Sequence, residues 1–472
     1  MANMRQKLSS LHIVTILIGC VYICYFILKI SMFAQHSESI KYAFAIKEFH
    51  KNIVSFTLFP KWASGFGNGY GYPLFIFSPP LFFFLAEPFA LSGISPFSLL
   101  NIISVLTVFC CAISMFRLSE DVSGIRGGLI SSLIYLFSPS LISILFNRNN
   151  FDDIYSFLFL PLSCCIAGKS YKIEEADLSI NTKHFIKLSF CCSLLFLSSK
   201  PTFMMTLSLL LYSLFYHFIV CKNKRPLRFL LINSGGIFTG LWLSAFFWFQ
   251  AALEAKYIYG NDSEGNIFLP LILPASFFIS FLAGLLFKDK SYNKPYKLRL
   301  LTIISVLIIF IGGAWNISDN INNIKETTEI YEWQDTLPYS VGQEYMPIGV
   351  KKMPDNEPRV PLETISGKLG VLRKEISPSE RGIRVKAVAG SATVRLNLFY
   401  FPGWTLKIKD IEPVPVPFTV DDTGRIIAKL PEGVNFLRVT FDPTIARIAG
   451  ELISFTGLLF CLFLFIYKKE KK

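Results

Sequence analysis

Long apolar runs alternate along this chain with short basic ones. Apolar segments of roughly bilayer-spanning length occur at 11–33, 97–117, 127–147, 151–168, 184–199, 202–221, 228–250, 267–287, 299–315 and 445–467. A further apolar stretch at 74–92 is interrupted by Pro79, Pro80 and Pro88, which break a helix ladder. From Arg381 the pattern changes. Residues 382–388 and 392–398 alternate with a period of two, as half-buried strands do. Residues 405–409 and 436–441 read as two more strands, each following a turn, Phe401-Pro402-Gly403-Trp404 and Pro431-Glu432-Gly433. Together they predict a β-sandwich of about 70 residues tethered to the last apolar segment. The intervening region, 317–380, is polar and proline-containing and predicts mixed structure.

Composition narrows the class. With 52% hydrophobic residues, 17% charged residues and a mean hydropathy of +0.48, the chain lies outside the range of soluble domains. It reads as a polytopic membrane protein. The net charge of +13 does not mark a nucleic-acid surface, because Lys and Arg fall in clusters between apolar segments. Those clusters set the orientation instead. If 74–92 does not cross completely and the N-terminus is cytoplasmic, then Arg117 with Arg126, Lys169 to Lys187, Lys222 to Arg228, Lys288 to Arg299 and Lys468 to Lys472 all fall inside. If it crosses, every one of them moves outside.

The expected fold is therefore mainly α, a helical bundle of about ten spans with 74–92 as a re-entrant or interfacial helix, and a C-terminal extracytoplasmic β-sandwich. The expected domains are 1–316, with a first outer loop at 34–96, then the outer domain 317–444, and the last span with its basic cytoplasmic tail at 445–472. No small-residue cleavage site follows the first apolar segment, which reads as a retained span. The ten cysteines all lie within or at the ends of apolar segments and read as packing residues. The five histidines show no paired ligand spacing, so the sequence carries no zinc signature.

The loop from Trp62 to Pro80 is rich in glycine and aromatic residues and lies between apolar segments. Irregular backbone beside a bilayer must be sheltered by protein or line a wet cavity, which makes this loop a candidate site wall. Its sequence, Phe59-Pro60-Lys61-Trp62 followed by Gly71-Tyr72-Pro73-Leu74-Phe75-Ile76-Phe77-Ser78-Pro79-Pro80-Leu81, resembles a motif of bacterial membrane proteins known as 6-pyruvoyl-tetrahydropterin-synthase-related. Those proteins are related to YfhO-like proteins and, more widely, to glycosyltransferases of the GT-C fold. Further segments resemble the same family in the same order: Arg148 to Asp153, Glu344-Tyr345-Met346-Pro347, Tyr400 to Trp404, Pro431-Glu432-Gly433, and Arg447 with Gly450. One position departs from it. Where many relatives carry a His-Asp pair in the first outer loop, this chain has Ser37-Glu38, with the histidine displaced to His36.

The resemblance implies an enzyme of the bacterial cytoplasmic membrane, with both termini cytoplasmic. It would transfer a sugar from a polyprenyl-phosphate carrier to an extracytoplasmic glycolipid, polysaccharide or protein. Nothing in the chain supports pterin chemistry. The alternative is a non-catalytic membrane protein that binds or moves a glycolipid. An ion-coupled transporter would need ionisable residues in mid-span, and the apolar segments contain almost none.

Sugar transfer from a lipid phosphate needs a base for the acceptor hydroxyl and cationic groups for the departing phosphate. Glu38, just past the first span, is the candidate base, or else a solvated interfacial acid. Asp153 is the second candidate catalytic residue. Arg148 is a candidate ligand of the carrier phosphate, with Asp153 orienting it or the acceptor; alternatively Arg148, Asp152 and Asp153 cap a helix and pair locally. Lys200, in a tight hairpin, either helps hold the phosphate or extends to the membrane interface. Trp62, Tyr70, Tyr72 and Trp404 are candidates to stack on sugar faces, against the alternative of an interfacial aromatic belt. Glu344 and Tyr345 close the site from above or serve domain packing. No cofactor is specified, although Asp152 and Asp153 are also a weak candidate pair for a divalent ion.

Overall fold

The computed structural model describes residues 2–31, 37–146, 151–169, 178–198, 200, 202–216, 226–259, 269–287, 302–315, 317, 345–354, 358, 360, 362–377, 382–408 and 414–470. The chain is mostly helical, with a small β region near its C-terminal end. Each apolar segment identified in the sequence is helical over most of its described length. Among the described residues, helices long and apolar enough to cross a membrane lie at His12–Lys29, Pro96–Leu136, Phe151–Lys169 and Ile445–Ile466. A fifth candidate is the pair Leu230–Leu243 and Ala245–Tyr257, bent by 67°.

The 41-residue helix α5 (Pro96–Leu136) is two antiparallel arms rather than one rod. Ser132 Oγ donates to the Ala112 carbonyl at 3.2 Å, and Ser119 Oγ to Ser131 Oγ at 2.7 Å. A straight helix would hold residues 112 and 132 about 30 Å apart. Gly124 makes the turn at φ 84° and ψ −179°, a conformation open essentially to glycine alone. The arms correspond to the two apolar segments at 97–117 and 127–147. A break at Ser138 then starts α6 (Pro139–Phe146).

Within the expected first outer loop, residues 37–96 hold regular structure. Helix α2 (Ser37–Val54) packs into the protein, with Tyr42, Phe44, Ile46 and Phe49 all buried. The stretch 74–92 is split at Pro79 and Pro80 into α3 (Leu74–Phe77) and α4 (Pro80–Leu91), whereas Pro88, also expected to break the ladder, lies inside α4. Twelve helical residues in α4 reach about 18 Å, short of a hydrocarbon core of about 30 Å.

The β region is one antiparallel sheet of seven strands that forks. Strand β1 (Leu362–Ser377) pairs from end to end with residues 382–396 of β2 (Gly382–Phe399). On its other edge β2 pairs through 384–389 with β7 (Gly433–Phe441) and through 392–399 with β6 (Arg425–Leu430). Strands β6 and β7 are thus a single edge bent at Pro431 and Glu432. Beyond the bend, β3 (Trp404–Ile408) and β4 (Val414–Pro415) extend one branch, and β5 (Phe418–Val420) extends the other. The sheet starts earlier than the sequence pattern predicts, at Leu362 rather than near Arg381. Three register shifts in β1, between 364 and 366, 366 and 368, and 371 and 373, interrupt the period-two signal that would have revealed it.

Candidate functional site

The loop of residues 62–73 joins the β region to the helices. Two antiparallel hydrogen bonds between Ala63 and Tyr72 close it, at 3.0 and 3.2 Å. At Gly71, φ is +75°, and a Cβ there would lie 2.3 Å from Trp62 Nε1, so glycine is required twice over. From below, the carboxylate of Glu48 on α2 accepts hydrogen bonds from Ser64 Oγ at 2.9 Å and from the Gly65 amide at 3.0 Å. From above, the Phe399 amide donates to the Tyr70 carbonyl at 3.2 Å.

The loop aromatics are covered by protein. Trp62 meets Trp404 edge to face at 5.2 Å, Tyr70 stacks on Phe399 at 5.1 Å, and Tyr72 lies edge-on to Phe66 at 5.1 Å. All three loop aromatics are buried. Burial raises the Tyr70 phenol pKa above its ordinary value, against the opposing pull of the Arg425 guanidinium. Of the two options open to irregular backbone at a membrane, shelter by protein is the one this loop takes.

A polar cluster lies where α2, the turn after α6, the start of α9 (Thr202–Tyr216) and the segment beginning at Tyr345 meet. Its centre is Asp152, in a single 3-10 turn of residues Phe151–Asp153, with 0% of its surface exposed. Tyr42 Oη donates to Asp152 Oδ1 at 2.9 Å. Lys200 Nζ lies 3.3 Å from Asp152 Oδ2 and 5.7 Å from the centre of the Tyr345 ring. The Lys200 amide donates to Asp153 Oδ1 at 2.9 Å. Tyr345 in turn stacks on Phe77 of α3 at 5.4 Å, which links the cluster to the glycine-rich loop. An apolar wall of Phe82 and Phe151 encloses Tyr42.

The structure therefore brings together Asp152, Asp153, Lys200 and Tyr345 of the residues singled out from sequence, and adds Tyr42. Trp62, Tyr70 and Tyr72 lie in the packing between the β region and the helices. Arg148 and Glu344 lie outside the described residues. Glu38 is described as backbone in the first turn of α2, four residues before Tyr42. Tyr42 escapes a reading by motif because it sits in a segment taken as loop. Ile46, Phe49 and Ile53 recur there at spacings of three and four, the signal that marks a helix.

Among the described residues no group of three or more His, Cys, Asp and Glu converges in the manner of a metal site. An ammonium group 3.3 Å from Asp152 also makes a poor neighbour for a divalent cation. The pair Asp152 and Asp153 does not fit a metal in this arrangement.

A second buried charge pair fastens the last helix, α14 (Ile445–Glu470), to the rest. Arg447 and Glu254 are each 2% exposed, with Arg447 Nη2 and Nε 3.0 and 3.2 Å from Glu254 Oε2. Arg447 also donates to the Pro402 carbonyl at 2.8 Å, which holds the turn at Phe401 to Trp404 against the helix ends. Glu254 has no counterpart among the residues the sequence pattern singles out.

Neither protein-family models nor curated proteins give a match to this chain. Among solved structures, the archaeal oligosaccharyltransferase AglB from Archaeoglobus fulgidus, in complex with an inhibitory peptide and a dolichol-phosphate, is similar over 67% of this chain at 16% identity, with a TM-score of 0.35. The chain spans 38% of the length of that protein.

Proposed function

We propose that this chain is a membrane glycosyltransferase of the GT-C type, which moves a sugar from a polyprenyl-phosphate donor to an acceptor outside the cytoplasm. The observation that carries the reading is the cluster of Tyr42, Asp152, Asp153, Lys200 and Tyr345, drawn from four separated parts of the chain to one place among apolar helices. Ionisable groups in such surroundings are costly and are kept for use. Three further candidates are tied to the cluster by short stretches of chain. Glu38 is one helical turn from Tyr42, Arg148 is four residues from Asp152, and Glu344 adjoins Tyr345.

In this reading Glu38 takes the proton of the acceptor hydroxyl, and Arg148 with Lys200 holds the departing lipid phosphate. Asp152, itself held by Tyr42, fixes the Lys200 ammonium against the Tyr345 ring. Asp153 holds the backbone of the hairpin that carries Lys200.

The test is a comparison of envelope glycans and lipid-linked sugars in cells with the gene, without it, and with Glu38→Gln or Lys200→Gln. One sugar should be missing in the deletion and in Glu38→Gln, with its lipid-linked donor accumulating, while Lys200→Gln should weaken donor use. Identical glycan and lipid profiles in all four strains would refute the transferase. Wild-type glycans in the Glu38→Gln strain alone would remove Glu38 as the base.

A further inference from the structure

A groove of about 500 Å³ lies between helix α1 (Ala2–Ser31) and the first arm of α5. Ile13, Leu17, Phe109, Ala112, Ile113 and Phe116 form its apolar walls. It runs from Ile13 to Cys20 along α1, about 10 Å of helix, enough for part of an acyl chain. Ile13, Leu17 and Ile113 are each close to half exposed, so the walls face outward from the bundle. One end is different: it is lined by Arg117 and Glu120, a few residues before the turn at Gly124. Neighbouring Asp121 is paired with Lys169 at 3.7 Å, so it belongs to another contact.

A groove that is apolar along its length and ends in one cation and one anion is complementary to a particular ligand. We propose that it holds a phospholipid with a primary ammonium headgroup, such as phosphatidylethanolamine. Acyl carbons lie along the apolar walls. The phosphate is met by Arg117, whose guanidinium offers paired N–H donors to phosphate oxygens, and the ammonium by Glu120. A quaternary ammonium offers no N–H to a carboxylate, and a glycerol headgroup offers no positive charge. The headgroup is therefore read at both ends, and selectivity follows from Glu120 as much as from Arg117. The groove is lined by residues other than those of the Asp152 cluster, so this inference stands whether or not the chain transfers sugars.

The full-length protein in detergent can be titrated with phosphatidylethanolamine, phosphatidylcholine and phosphatidylglycerol of identical acyl chains, with binding counted by native mass spectrometry. Phosphatidylethanolamine should bind about tenfold tighter than either of the others, a difference the size of one good charge-assisted contact. Arg117→Gln should weaken it about as much, Glu120→Gln should erase the preference over phosphatidylcholine, and Leu17→Trp should reduce binding of all three by filling the groove. Arg117 is exposed, so its replacement leaves the fold in place and remains informative if the tryptophan variant does not fold. Equal binding of the three lipids to the wild type, or a preference untouched by both charge variants, would overturn the assignment. So would tightest binding of phosphatidylglycerol, which would mark an anionic-lipid site served by Arg117 alone.

Discussion

Asp152 is a fully buried carboxylate with two partners, one neutral, the Tyr42 hydroxyl that donates to Oδ1, and one charged, the Lys200 ammonium 3.3 Å from Oδ2. Tyr42→Phe removes the neutral one with almost no change in volume. A hydrogen bond to a charged group contributes about 1.5–3 kcal/mol, so the variant should lose stability of that order while keeping its fold. Detergent-phase unfolding compared with the wild type measures it; no change would mean that the Tyr42 contact contributes nothing. Asp442 presents the opposite case, an acid near the surface. Burial alone would raise its pKa, but hydrogen bonds from Thr405, Lys407 and Thr440 overcome that and hold it below its ordinary value. Its folded pKa therefore lies below its unfolded one. The stability it contributes is complete above the unfolded pKa and fades as the pH falls through the folded one. Acid unfolding of the β region should lose part of its pH dependence, below about pH 4, in Asp442→Asn. An acid profile identical to wild type would assign no stabilising role to that carboxylate.

Between residues and the whole stands the glycine-rich loop, whose shape depends on Glu48 of α2. Both Ser64 Oγ and the Gly65 amide donate to one oxygen of that carboxylate. A glutamine carbonyl can accept the same pair, so Glu48→Gln should leave the loop seated. Alanine cannot, and a buried amide left without an acceptor costs about 1–3 kcal/mol. Limited proteolysis should cut within 64–72 in Glu48→Ala and spare both Glu48→Gln and the wild type; equal resistance of all three would show that the aromatic packing alone seats the loop. The same loop shows how far sequence reading reaches. Its glycines mark irregular backbone, and Pro79 and Pro80 mark the break between α3 and α4, whereas Pro88 is accommodated inside α4. Its pattern was silent on which shelter it takes, because Trp62, Tyr70 and Tyr72 are covered by Phe399, Trp404 and other residues distant in the chain. Helix α2 was missed for a related reason: it buries Lys41, Glu48 and Asn52 among its apolar residues, which lowers the contrast between its faces. The turn at Gly124, by contrast, fell between two apolar runs whose separation was already plain. Asp152, Asp153 and Lys200 were legible as charges stranded beside apolar segments, whereas their pairing with Tyr42 is tertiary and leaves no local trace.

At the scale of the molecule, the β region, the loop of residues 62–73 and the Asp152 cluster form one continuous run of contacts. The β region is tied to the loop of residues 62–73 by the Phe399–Tyr70 hydrogen bond and the paired tryptophans. That loop runs into Phe77, which meets Tyr345 above Lys200 and Asp152. On its other flank the β region passes through only Asp442 to Thr444 into α14, whose Arg447 is locked onto Glu254. The sheet, the loop and the polar cluster are joined by direct contacts, so a single reporter on the sheet tests the proposed side for all of them. The proposed orientation puts that side outside. Glu432 is an exposed residue at the bend between β6 and β7, and the nine described native cysteines are buried or half-buried. A Glu432→Cys variant should thus react with a membrane-impermeant maleimide in intact cells at wild-type expression, while a fluorescent protein fused after Lys472 should mature in the cytosol. Labelling of Glu432→Cys only after permeabilisation would turn the cluster toward the cytoplasm, away from any extracytoplasmic acceptor, and the transferase reading would fall with it.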